Sequence, residues 1–203
     1  MIFKTYTVGP IREHPYLIID GGQALVFDPG GGSGQIIDDL RDAKLLYIVN
    51  THSHPDHIAE NAILADMTGA QILIHASDAR TLNYDYSNFA KKHNYPVIPS
   101  TADKMLKDQD QIKVGSLVFK VIHTPGHTPG SSCYYLEKEK LLITGDTLFY
   151  HTIGRTDLPG SSGPLIEKSL QKLFELPKDV QVFPGHGKPT TIGEEVEYRL
   201  QVS

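Results

Sequence analysis

Apolar and polar positions along this chain switch period several times. Short β-type runs at Ile2–Val8, Tyr16–Ile19 and Ala24–Phe27 are separated by Pro, Gly and Asp, which reads as three strands of an antiparallel meander. Ile36, Ile37 and Leu40 then fall near helical spacing and predict a helix over Gln35–Arg41, followed by Leu45–Val49, a continuous apolar run suited to a buried strand. A helix over His57–Met67, a strand over Gln71–His75 and a short helix over Ala76–Leu82 complete the first half. From Gln111 the order recurs, with strands at Gln111–Val114, Leu117–Ile122, Ser131–Leu136 and Lys140–Thr144, a helix over Leu165–Phe174, a strand over Val180–Phe183 and a terminal helix over Gly193–Leu200. Between the halves, Asn83–Asp110 holds neither period and reads as a long surface loop, of the kind that often covers a site. Two similar halves without a linker predict one α/β domain over 1–203, built as two stacked sheets with helices outside, a four-layer αββα sandwich.

Composition narrows the class. The chain has 203 residues, 39% hydrophobic and 21% charged, enough to bury a core without disulfides. The charge is 19 Lys+Arg minus 24 Asp+Glu, or −5, which disfavours a nucleic-acid or anionic-membrane partner. One cysteine, Cys133, cannot form an internal bridge, and neither a signal-type start nor an apolar run near ~18 residues is present. A cytoplasmic protein without a membrane partner is the expectation. Ten histidines and no tryptophan is the anomaly that calls for chemistry.

Most of that chemistry is in Thr51-His52-Ser53-His54-Pro55-Asp56-His57, directly after the apolar strand Leu45–Val49. Pro55 suits the first position of a helix, so His52 and His54 project from the turn and Asp56 and His57 from the first helical turn. Imidazoles with a carboxylate suit zinc, iron, nickel or manganese better than calcium or magnesium. A histidine-rich polar loop is the bland alternative. It loses ground because further donors also follow strands: His123 and His127 in the His-Thr-Pro-Gly-His-Thr-Pro-Gly run, Asp146 after Gly145, and His186 in Pro-Gly-His-Gly. Glycines beside these donors let several loops crowd one point. His75, His14, His93 and His151 read as structural or solvated, and Ser131 and Ser132 lack the setting of a nucleophile elbow.

Together, THSHPDH at 51–57, TPGHTPG at 124–130, GDTLF at 145–149, GRTDLPG at 154–160 and PGHG at 184–187 resemble the metallo-β-lactamase superfamily, most closely its glyoxalase II-like branch of small hydrolases. The resemblance implies the αββα fold and two divalent metal ions, zinc first, with iron or manganese as alternatives. It implies that His52, His54 and His127 hold one ion, that Asp56, His57 and His186 hold the other, and that Asp146 bridges them. It takes His127 rather than His123 as the ligand of its segment. The implied reaction is hydrolysis of a small-molecule thioester such as S-lactoylglutathione by a metal-activated water, with Asp56 orienting the water and taking its proton.

Departures from glyoxalase II bear on the substrate. The chain ends 17 residues past His186, so the expectation is that the C-terminal helical domain of that branch is missing. The branch's tyrosine after the last histidine is replaced by Gly187-Lys188-Pro189, and Arg155 falls where the branch places a lysine, making it a candidate substrate-binding residue. Tyr84, Tyr86 and Tyr95 of the long loop are candidates to cover the substrate. The alternative reading is a persulfide dioxygenase of the same superfamily, an oxidoreductase with one iron that shares the GRTD stretch. A secreted β-lactamase, an RNA-processing nuclease and a closed structural metal module fit the sequence less well.

Overall fold

The computed structural model describes residues 1–84 and 96–202. Strands β1 (Ile2–Thr5), β2 (Tyr16–Asp20) and β3 (Gln23–Phe27) form the expected meander, although β1 stops at Thr5 and Val8 makes only an isolated bridge with Glu13. Helix α1 (Ser33–Leu40) then crosses over to β4 (Lys44–Val49), which lies parallel to β3. Strands β5 (Gln71–His75) and β6 (Lys104–Leu106) extend the first sheet in the order β1-β2-β3-β4-β5-β6. The second sheet runs β14-β13-β10-β9-β8-β7, from β7 (Gln111–Val114), β8 (Leu117–His123), β9 (Ser132–Leu136), β10 (Leu141–Gly145), β13 (Gln181–Pro184) and β14 (Thr190–Thr191). A small hairpin, β11 (Leu148–Phe149) and β12 (Thr152–Ile153), sits apart from both. Helix α4 (Gly163–Phe174) makes the crossover between the parallel strands β10 and β13, and α5 (Ile192–Val202) ends the described chain.

Alternation within the strands sorts residues into three cores. In β2, Tyr16 and Ile18 face the other sheet, while Leu17 and Ile19 face α1, α2 (Pro55–Ile58) and α3 (Asn61–Thr68) through Ile36, Leu40, Ile58 and Leu64. Both faces being covered explains why β2–β5 read as unbroken apolar runs. In the second sheet, β8, next to the edge strand β7, instead alternates buried Leu117, Phe119 and Val121 with exposed Val118 and Lys120. Leu170 and Leu173 of α4 close the third core against Ile122, Leu142 and Val182, each such buried side chain contributing about 2 kcal/mol. These layers make the four-layer αββα sandwich.

Two elements depart from their periodicity. The helix expected over His57–Met67 is broken into α2 and α3, because the Glu60 amide donates to the Pro29 carbonyl at 3.0 Å instead of to a helical carbonyl. The loop expected over Asn83–Asp110 contains strand β6, which pairs with β5. Ala79–Asn83 is a 3-10 turn where a short helix was predicted.

Candidate metal centre

Each donor stands where a strand stops. The turn after β4 carries His52 and His54, and the first turn of α2 holds Asp56 and His57 behind Pro55. Side-chain amides close this turn: Asn50 Nδ2 donates to the His57 carbonyl at 3.2 Å, and Asn61 Nδ2 to Asn50 Oδ1 at 2.7 Å. The second sheet sends His127 from the loop after β8, Asp146 from the end of β10 and His186 from the end of β13. Two buried tyrosines of the inter-sheet core fix the loops relative to one another. Tyr134 on β9 donates its hydroxyl to the Asn50 carbonyl at 2.8 Å, and Tyr16 on β2 donates to the Pro184 carbonyl at 2.6 Å. Close approach also needs Gly185, where a Cβ would lie 2.5 Å from Asp146 Oδ1 and 2.6 Å from the His57 ring.

All seven donors predicted from the sequence are brought together, in two groups. His54 Nδ1 lies 3.1 Å from His52 Nε2 and 2.8 Å from His127 Nε2. On the other side, Asp56 Oδ2 lies 3.2 Å from His186 Nε2 and 3.4 Å from His57 Nε2. The donor atoms of each triad lie within 4.8 Å of one another. Asp146 stands between the groups, with Oδ2 at 3.5 Å from His127 Nε2 and Oδ1 at 3.4 Å from His57 Nε2 and 3.8 Å from His186 Nε2.

The donor set fits divalent metal. His57 Nε2 and Asp146 Oδ1 are buried with no hydrogen-bond partner, which is costly unless a cation lies between them. Burial, then the neighbouring imidazoles, holds His52 well below its usual pKa, and burial and His127 push His54 down to about 4. Both rings are therefore neutral, the state in which imidazole binds metal. Burial works against protonating His57, but the carboxylates of Asp56, Asp146 and Asp28 prevail and raise it well above the usual range. Carboxylates that draw a proton to that nitrogen would equally draw a metal ion.

Behind the donors stand three carboxylates that the sequence reading passed over. Asp28, at φ 47°, accepts from the Thr51 amide at 2.7 Å and its hydroxyl at 2.6 Å, and lies 3.0 Å from His57 Nδ1, fixing which nitrogen of that ring faces the site. Its place after β3, like the other strand-end donors, was the available signal. Asp78 ties the two halves of the first triad together, accepting from the Ser53 amide at 3.1 Å, the Thr128 hydroxyl at 2.7 Å and the Gly130 amide at 2.7 Å. Glu13 is fully buried 3.7 Å from His57 Nδ1, and burial raises its pKa well above the usual carboxylate range. Neither Asp78 nor Glu13 belongs to a motif.

The remaining candidates take other places. Arg155 lines the cavity over the centre, but its guanidinium forms a bidentate pair with Asp157 at 2.9 and 2.8 Å. His75 is buried and stacks on His123, ring centroids 3.9 Å apart, away from the donors. His14 is half-buried, and His151 stacks between two tyrosines. Tyr84 is exposed, while Tyr86, His93 and Tyr95 lie outside the described residues. The cavity holds about 1000 Å³; His54, Asp56, His127, Asp146 and His186 form its floor, and Ile11, Phe149, Leu158 and Pro159 are apolar parts of its wall. No helix among the described residues is long and apolar enough to cross a membrane.

Comparison with known proteins places the chain in a family. Residues 8–186 match the metallo-beta-lactamase superfamily. The chain is 39% identical over 199 residues to an uncharacterized protein of Aquifex aeolicus, covering 96% of this chain and 94% of that one. It is 32% identical over 196 residues to the probable metallo-hydrolase YqgX of Bacillus subtilis (95% and 93% covered) and 33% identical over 181 residues to the hydroxyacylglutathione hydrolase GloC of Haemophilus influenzae (87% and 85%). Among solved structures, the BLEG-1 B3 metallo-beta-lactamase superimposes with a TM-score of 0.88 at 35% identity, with 97% of each chain covered. TTHA1623 in a di-iron-bound form gives 0.85 at 30% identity (96% and 98% covered), and ETHE1 from Myxococcus xanthus 0.80 at 31% (98% and 83%).

Proposed function

Because the chain belongs to the metallo-β-lactamase superfamily and gathers the His/Asp donors of a metal-dependent hydrolase, we propose that it is a dinuclear thioesterase of glyoxalase II type, cleaving S-acyl thiols such as S-lactoylglutathione. The observation that carries this reading is the Asp146 carboxylate, which turns one oxygen toward His127 and the other toward His57 and His186. One carboxylate facing two triads is the arrangement two ions need. Zinc is the first choice, and iron receives support from the di-iron form of TTHA1623. Ions held there would polarise the acyl carbonyl and lower the pKa of water from 15.7 to about 7.

The chain's own residues supply orientation. Burial raises the Asp56 carboxyl, but the adjacent His57 and His186 rings outweigh it and hold the carboxyl well below its usual range, so Asp56 is ionised and able to orient the attacking water by accepting its hydrogen bond. Oxygen adds to the acyl carbon, the C–S bond breaks, and the products are a carboxylic acid and a thiol. A thiol pKa near 8.5 makes the thiolate a good leaving group, so no separate general acid is needed.

A second reading, the mononuclear iron persulfide dioxygenase, draws support from the likeness to ETHE1. Thiol release from S-lactoylglutathione under argon, set against oxygen uptake with glutathione persulfide, separates the two. The hydrolase reading expects anaerobic thiol release and no oxygen uptake. Rapid oxygen uptake by iron-loaded protein without thioester cleavage would overturn it.

A further inference from the structure

The cavity carries two cations at its wall, Arg155 and Lys188, and they are not equivalent. Arg155 is matched by the bidentate carboxylate of Asp157, so its charge is largely compensated. Lys188 has no carboxylate partner among the described residues. Its ammonium instead lies 3.5 Å from the centroid of the Tyr150 ring, a cation–π contact that fixes its position while leaving its charge unneutralised.

That contact is the end of a column. Tyr150 stacks on His151 at 3.8 Å and 20° between planes, and His151 stacks on Tyr198 of α5 at 4.0 Å and 2°. Two rings within 4 Å of His151 must occupy its two faces, so the order is Lys188, Tyr150, His151, Tyr198. The column is tied down at its base, where the His151 amide donates to the buried Glu195 carboxylate at 2.9 Å and His151 Nε2 lies 3.6 Å from Glu194. His151 holds φ 56°, a conformation uncommon outside glycine, which turns its ring into the stack. A flexible side chain is thereby held at one place beside an apolar wall, above a floor that binds the reacting acyl group.

We propose that Lys188, positioned by the Tyr150–His151–Tyr198 column, is the specificity-determining cation of the site, and that the substrate is an acyl thiol whose thiol carrier bears an anionic group, carboxylate or phosphate. Arg155 is secondary. The inference rests on the thioesterase reading, and its test separates failure of the one from failure of the other.

The steady-state constants of the metal-replete enzyme are compared for S-lactoylglutathione, whose carrier has two carboxylates, for S-lactoyl-coenzyme A, whose carrier has phosphates, and for the uncharged S-lactoyl-N-acetylcysteamine. Lys188→Met is expected to raise KM about 5–10-fold for a carrier bearing the recognised anion, to change kcat less than twofold and to leave the neutral substrate unaffected. Which of the two anionic carriers responds identifies carboxylate or phosphate. Lys188→Arg keeps the charge and the ring contact and restores most of the affinity. Tyr150→Leu gives an intermediate loss for the same carrier, and Arg155→Ala changes KM less than threefold. An equal effect of Lys188→Met on charged and neutral substrates, no effect on any, or transfer of the anion discrimination to Arg155→Ala would overturn the proposal. If no thioester is cleaved, the thioesterase reading fails, and calorimetric binding of the unreactive thioethers S-methylglutathione, S-methyl-coenzyme A and S-methyl-N-acetylcysteamine still decides Lys188. A Kd 5–10-fold weaker in Lys188→Met for a charged thioether alone supports it, and an unchanged Kd for both charged thioethers contradicts it.

Discussion

At the floor of the cavity the donors are buried (His52, Asp56, His57, His127) or half-buried (His54, Asp146, His186) and several are held through a second residue, whereas at its mouth Arg155 and Lys188 are exposed and each is set by one local contact. His57 is fixed by Asp28, the His52–His54 turn by Asn50 and Asn61, and the turn and the His127 loop are joined by Asp78. Changes at the floor therefore leave a buried charge or amide unpaired and are expensive, while changes at the mouth meet water and are cheap. On the proposed reading, the floor would set which reaction is possible and the mouth which substrate is preferred.

The sharpest way to break this contrast is at the residue shared by both triads. Asp146→Asn replaces one of two opposed carboxylate oxygens by an amide nitrogen that cannot bind a cation. Loss of several kcal/mol of metal interaction predicts a fall in kcat of at least about 100-fold, with less than two ions retained per chain, read by kinetics and elemental analysis. Full activity in this variant would remove Asp146 from the centre. Next in size is Asp78→Ala, which leaves the Gly130 and Ser53 amides buried without acceptors. A cost of about 3 kcal/mol predicts a Tm lower by roughly 10 °C in calorimetry, together with weaker metal retention, although Asp78 is not itself a donor. A Tm within 2 °C of the parent, well under the roughly 6 °C that such a loss would give at the least, would mean that the loops hold themselves.

The smallest effect lies away from the donors, at the His75–His123 stack. Burial, and then the neighbouring His123, pushes His75 down to about 4, so the unfolded chain, with histidine near 6.5, takes up the proton first. Its contribution to stability is whole above pH 6.5 and is lost as pH falls toward 4. Between pH 7 and 5 the protein is expected to lose roughly 2–4 °C of Tm through this ring, after allowance for solvent screening, and His75→Phe should flatten that part of the profile. An identical acid profile in the variant would show that His75 does not titrate in this range.

What could be read from the sequence divides along the same line. The candidate donors were legible because they cluster in the loops and first helical turn that follow apolar strands, while the choice of His127 over His123 came from the family resemblance. The sandwich was legible because the order of strands and helices recurs in the two halves, with apolar runs such as Tyr16–Ile19 and Leu45–Val49 marking strands β2 and β4. The supports were not, because Asp78 reaches partners 25, 50 and 52 residues away and no local pattern marks it. The α2–α3 break depends likewise on the Pro29 carbonyl, and β6 is three residues long with only Leu106 buried. The ring column joins Tyr150 and His151 to Tyr198, an association that only the packing of α5 beside the β11–β12 hairpin creates.

The central claim is that one carboxylate serves two ions and that both are needed for hydrolysis. Metal-stripped protein titrated with zinc, with bound metal and S-lactoylglutathione hydrolysis followed in the same samples, tests it directly. The account predicts little activity at one ion per chain and a rise that saturates near two. Full activity reached at one ion, with no further gain under excess zinc, would contradict it.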